Sequence, residues 1–161
     1  MSKIEINNLT TEYETVLNAI ATPFSEYPRP QMERDSYFCL NGKWGFTILA
    51  KNGGVKYSGE ILVPFAPESK ISGVFKQIDK NDTLVYEREF FVDKTFLKDK
   101  TLIHFGACDQ YASVFINGEN VGENVGILPF SFDVTKQIKD GENTIKVIAK
   151  DPLNTDIPYG K

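Results

Sequence analysis

Side chains that carry chemistry near neutral pH are scarce in this sequence. Its 161 residues include one histidine, two cysteines, two methionines and one tryptophan. A lone His104 and the widely separated Cys39 and Cys108 argue against a transition-metal site, which needs three or four nitrogen or sulfur ligands together. With no secretory pattern at the N-terminus, the two cysteines read as free buried thiols in a reducing compartment, the cytoplasm. No Gly-x-Ser-x-Gly, Cys-x-x-Cys, His-Glu-x-x-His or Gly-x-Gly-x-x-Gly motif occurs, so a nucleophile elbow, a redox pair, a zinc protease site and a dinucleotide fingerprint are all missing. No apolar run approaches the roughly 18–20 residues of a bilayer-spanning helix. Positive charge is also short, with a net charge of −4. Without a basic field to draw phosphates, no nucleic-acid partner is expected.

What the chain has in quantity is aromatic residues, turn residues and two-residue alternation. Twelve Phe and seven Tyr favour pleated structure, where rings pack well. The organising stretch is 102–135, LIHFGACDQYASVFINGENVGENVGILPFSFDVT. Its strand YASVFI ends at Asn117-Gly118, the dipeptide best suited to a two-residue hairpin turn. A return strand from Glu119, a loop bracketed by Gly122 and Gly126, and an alternating Phe130-Ser-Phe132 follow. This spacing is that of an antiparallel sandwich, with the remaining strands joining the same sheet.

Elsewhere, Trp44, Phe46 and Ile48 alternate with Gly45, Thr47 and Leu49, which points the first set inward. A short strand EILV (60–63) ends at Pro64, LVYEREFFV (84–92) is the longest, and NTIKVIAK (143–150) is the last. Arg88 falls among rings on one face, and Glu87 and Glu89 share the other. TEYETVLNAI (11–20) is the one helix expected, with Thr11 and Glu14 as a capping box and an end forced before Pro23. Pro28-Arg-Pro30 reads as extended surface chain. The domain expectation is a helical extension over 1–27 and an all-β sandwich over 28–161 that stops short of its closing segment. From residues alone this is a non-catalytic β-domain, with His104 a half-buried strand histidine. Asp151, Asn154 and Asp156 could cluster oxygen ligands for calcium, but not at the spacing of a helix-loop-helix calcium loop. No metal and no cofactor are expected.

An ordered series of segments then resembles one family, the N-terminal domain of family 2 glycoside hydrolases, which includes β-galactosidases and β-glucuronidases. In order they are RPQ (29–31), LNGKWGF (40–46), VPFAPES (63–69), SG (72–73), YEREF (86–90), FGACD (105–109), VFING (114–118), VG (121–122), PFSFDVT (129–135) and NTIKVIAKD (143–151). Tyr37 stands where the family often has tryptophan, and Val125-Gly126-Ile127 replaces a more glycine-rich loop. The resemblance implies a jelly-roll β-sandwich of the galactose-binding-domain-like type. It also implies immunoglobulin-like and TIM-barrel domains that would follow, the barrel carrying two catalytic glutamates. None of this chain's residues matches either glutamate, and a barrel alone needs about 250 residues. No activity is therefore expected of the chain by itself. Its expected partner is a β-galactoside-type carbohydrate, bound in the context of the whole enzyme. Loops of the jelly roll can line such a site, which makes Pro67, Glu68 and Ser69, and the acidic run holding Asp151, Asn154 and Asp156, the ligand-binding candidates. Trp44 reads as core. A self-standing carbohydrate-binding module and an oligomerisation domain forming a homo-oligomer are the other readings.

Overall fold

A computed structural model of the chain describes residues 20–152. The expected helix over 11–20 therefore lies outside the described residues except for Ile20, which is irregular. Among the described residues there are eight strands: β1 (Gly42–Leu49), β2 (Val55–Val63), β3 (Thr83–Val92), β4 (Leu102–Phe105), β5 (Tyr111–Ile116), β6 (Glu119–Val125), β7 (Phe130–Asp133) and β8 (Gly141–Lys150). Six of them form one sheet in the order β2-β1-β3-β8-β5-β6, and β4 pairs with β7 in a second, two-stranded sheet. The fold is an all-β sandwich of the jelly-roll, galactose-binding-domain-like type.

The two-residue alternation decides which side chains are buried. Along β1 the inward set is Trp44, Phe46 and Ile48. On β8 it is Asn143, Ile145, Val147 and Ala149, and on β5 Ala112, Val114 and Ile116. Antiparallel register sets these rows side by side, with Val114 opposite Val147, and Phe46 opposite Tyr86. The Phe46 ring lies 4.7 Å from Tyr86 and 6.1 Å from Tyr57. Burying a phenylalanine of this kind contributes about 2–3 kcal/mol. Trp44 is 6% exposed and belongs to the core, as its place in an alternating strand requires.

The stretch 102–135 does not stay in one sheet, as its sequence suggested. Strand β4 belongs to the small sheet, the hairpin β5-β6 to the large one, and β7 returns to pair with β4. The reason is packing. Phe105 and Phe130 stack at 4.8 Å, and Phe132 lies 5.4 Å from Phe130. The Phe132 ring presses on Gly122 of β6 so closely that a Cβ there would fall inside the ring. The small sheet thus covers the large one through rings, and glycine at 122 makes room for them.

Four further expectations need correction. The strand that ends at Val63 begins at Val55, directly after the Asn52–Gly54 turn closed by Asn52. Pro30–Met32 is a short 3-10 turn rather than extended chain, because the Met32 amide bonds back to the Arg29 carbonyl. His104 is exposed on β4, not half-buried. Cys39 and Cys108 are free thiols, each only partly buried.

The chain divides into two compact units. One holds residues up to Lys43 together with Glu60–Gln77, and the other Trp44–Gly59 with Ile78 onward.

Candidate functional site

In the first unit, the candidate loop is a turn braced by its own polar groups. The Ser69 amide and hydroxyl both donate to the Ala66 carbonyl, at 2.9 and 2.6 Å. Ser72, 1% exposed at the end of the 3-10 turn Lys70–Ser72, donates its hydroxyl to the Ser69 carbonyl at 2.7 Å and accepts from the Val74 amide at 3.1 Å. The Lys76 amide closes the loop on the Pro67 carbonyl at 2.9 Å. Gly73, at φ 81°, supplies the left-handed residue that ends the turn. Pro67 is buried by this arrangement, while Glu68 and Ser69 stay partly exposed. A carboxylate and a hydroxyl oxygen are therefore presented on a backbone with little freedom. The Ser69 proton is spent on Ala66, so its hydroxyl offers lone pairs outward. Both groups accept hydrogen bonds of the kind a sugar hydroxyl donates.

The same unit has two aromatic contacts, Phe24 with Phe65 at 6.0 Å and Tyr27 edge-on to Tyr37 at 4.7 Å. Burial raises the Tyr37 phenol above its ordinary value, with help from Cys39 beside it.

In the second unit, Asp151 follows the end of β8 and is partly buried. Asn154 and Asp156 lie outside the described residues. Pro67, Glu68 and Ser69 are thus brought together in one turn, and Asp151 belongs to the other unit. Among the described residues no group of three His, Cys, Asp or Glu side chains could hold a metal ion. His104 spends Nδ1 on a 2.5 Å bond with the Ser131 hydroxyl across the small sheet. Burial, and then the nearby Asp109, push the Cys108 thiol up, away from the reactive thiolate.

Sequence reasoning missed the polar clamp at the start of the central strand β8. The Asn143 side chain is 1% exposed. Its oxygen accepts from the Asn117 amide group at 2.8 Å and from the Lys139 backbone N–H at 3.0 Å, and its nitrogen donates to the Lys139 and Gly141 carbonyls at 2.8 and 3.0 Å. Asn117, at φ 51° in the hairpin turn, also donates to the Gln137 carbonyl and accepts from the Thr144 amide. A signal existed, since an asparagine at an inward strand position needs partners. Asp82 is a second case. Its side chain is 1% exposed and reaches the Lys56 ammonium at 2.7 Å.

The sequence profile of the family described as glycosyl hydrolases family 2, sugar binding domain, matches residues 38–155. A β-galactosidase of Thermoanaerobacter pseudethanolicus is 37% identical over 101 residues, which are 61% of this chain and 14% of that protein. The solved β-glucuronidase of Bifidobacterium dentium superposes with a TM-score of 0.54 at 25% identity, over 69% of this chain and 19% of that one. The β-D-mannosidase of Dictyoglomus thermophilum shares the fold, with a TM-score of 0.57 at 22% identity over 74% and 17% of the two chains. The chain spans about a seventh of the β-galactosidase and about a fifth of the β-glucuronidase.

Proposed function

Since the chain belongs to the sugar-binding domains of glycosyl hydrolase family 2, we propose that it is the non-catalytic N-terminal domain of a β-galactosidase-like enzyme, where it scaffolds the enzyme and forms one wall of its sugar site. The observation that carries this reading is the self-braced turn at Pro67–Ser69. It fixes the Ser69 hydroxyl and the backbone that carries the Glu68 carboxylate at a partly exposed position, which lowers the entropy cost of gripping a hydroxylated ligand. Asp151, in the other unit, is a separate candidate that rests on the family resemblance, as do Asn154 and Asp156.

The hydrolytic step then belongs to residues beyond this chain. Retention of configuration needs two carboxyl groups about 5–5.5 Å apart across the glycosidic bond, one as acid/base and one as nucleophile. In this reading they sit in a barrel preceded by an immunoglobulin-like domain. The preferred substrate is a β-galactoside, on the strength of the Thermoanaerobacter relative. That proteins named for glucuronide and mannoside hydrolysis share the fold supports placing the final choice of sugar in the barrel. The free thiols of Cys39 and Cys108 support a reducing, cytoplasmic setting.

The test is a chimera in which this chain replaces the matching segment of the Thermoanaerobacter β-galactosidase. The isolated chain is expected to leave nitrophenyl β-galactoside untouched, and the chimera to hydrolyse it. Glu68→Ala and Asp151→Ala in the chimera should raise KM severalfold with kcat little changed. Turnover by the isolated chain would overturn the scaffold reading, and unchanged KM values would remove the wall contacts.

A further inference from the structure

We infer that the outward face of the six-stranded sheet is a second carbohydrate-binding surface, a shallow groove for a neutral oligosaccharide. It shares no residue with the Pro67–Ser69 turn, and it rests on the sugar-binding reading above. Two concavities of about 790 and 370 Å³ lie on this face, and both are lined by Phe115 and Ile148. They therefore adjoin, side by side across β3, β8, β5 and β6.

Strand register explains its composition. In one row Glu87 stands opposite Lys146, and Lys146 opposite Phe115. In the next, Ile148 stands opposite Ser113, and Ser113 opposite Glu123. The floor is thus an aromatic ring beside a branched aliphatic side chain, each half-buried. The walls are an ion pair, Lys146 with Glu87 at 2.9 Å, and a hydroxyl–carboxylate pair, Ser113 with Glu123 at 3.2 Å. Tyr111, four residues from Phe115 on the same strand and 46% exposed, offers a second ring roughly 13 Å along the groove.

A pyranose has an apolar face of C–H groups and an equator of hydroxyls. Flat apolar floors edged by fixed acceptors and donors match both, which is how small-ligand sites in general divide affinity from orientation. A protein partner fits less well. The fully buried centre of a protein interface is depleted in charge, whereas here the Lys146–Glu87 ion pair lies in the same cross-strand row as the ring. The sign of the charge narrows the ligand further. Of the charged side chains that alternate onto this face, the carboxylates of Glu87, Glu89 and Glu123 outnumber the ammonium groups of Lys146 and Lys150. Arg88, which also borders the groove, stands in register with the buried Ile145 on the inward face. An anionic sugar such as a uronide would meet net repulsion, and a neutral one would not.

The experiment is a titration of the isotope-labelled 161-residue chain with β-1,4-linked galactotriose, followed by amide NMR shifts, with a glucuronide-terminated disaccharide in parallel. Saturable shifts at 113–115 and 144–148 with galactotriose, and none with the glucuronide, are expected. Phe115→Ala should weaken binding at least tenfold. Thr144→Lys, at an exposed lining position, should block the groove while the dispersed β-sheet spectrum remains. Shifts confined to 67–69 and Asp151 would overturn the groove and leave the wall reading standing. A silent spectrum, binding unaffected by Thr144→Lys, or equal binding of the glucuronide would each overturn the assignment.

Discussion

Removing the Asn143 side chain should cost this domain a large share of its stability. Asn143 makes four hydrogen bonds, which tie Asn117, Lys139 and Gly141 together through one buried side chain. In Asn143→Ala the Lys139 N–H and one proton of the Asn117 amide lose their acceptor, while two carbonyls lose a donor. Each orphaned buried group costs about 1–3 kcal/mol, moderated where water can enter, which gives roughly 2–4 kcal/mol in all. For a domain of this size that is a fall in Tm of about 4–16 °C. Urea unfolding should show the midpoint shift at constant slope. Asn143→Asp should be no better, because a carboxylate oxygen would then face the Lys139 and Gly141 carbonyls, and its stability should improve as the pH is lowered. Asn117→Gly keeps the positive φ of the hairpin but deletes the other half of the clamp. In a double-mutant cycle the two changes should couple by about 1 kcal/mol. A loss below about 0.5 kcal/mol for Asn143→Ala, a size typical of featureless surface positions, or strict additivity with Asn117→Gly, would refute the clamp.

Gly122→Ala should destabilise by about 1–3 kcal/mol through overpacking against Phe132, read by thermal melting, and Phe132→Leu should recover part of the loss. Acid stability depends on two copies of one device. Asp93 and Asp133 each accept the hydroxyl and the backbone amide of the threonine two residues on, and those bonds hold both carboxyls below their ordinary value, with Lys100 adding to the effect at Asp133. Because the folded values are lowered, the stabilisation is complete above about pH 4, where an unfolded aspartate is ionised. It is lost as the pH falls through the lowered values. Thr95→Val and Thr135→Val should therefore flatten the acid limb of the stability profile, followed by circular dichroism, and leave Asp93 and Asp133 titrating near the unfolded value.

Much of this protein is legible one residue at a time. The Asn117-Gly118 hairpin, the inward Trp44, Phe46 and Ile48, and the strand into Lys150 follow from positive-φ preference and a period of two, which act between near neighbours. The family, too, is carried by short ordered segments, and the match over 38–155 covers all of them but the first, RPQ at 29–31. The candidate turn at Pro67–Ser69 was visible only through that resemblance, and its bracing by Ser72 and Lys76 was not visible at all. Tertiary structure alone decided the rest. Alternation says which side of a strand faces inward but not which sheet it joins, so the transfer of β4 and β7 into a second sheet depended on Phe105, Phe130 and Phe132 finding one another and on Gly122 yielding space. Asn143 reads as a poor strand former until Asn117, far along the chain, folds against it. The same holds for Glu87, Phe115 and Lys146, which lie on three strands separated by dozens of residues and become one surface only through register, because the hydrogen-bond ladder, not sequence distance, sets which side chains meet.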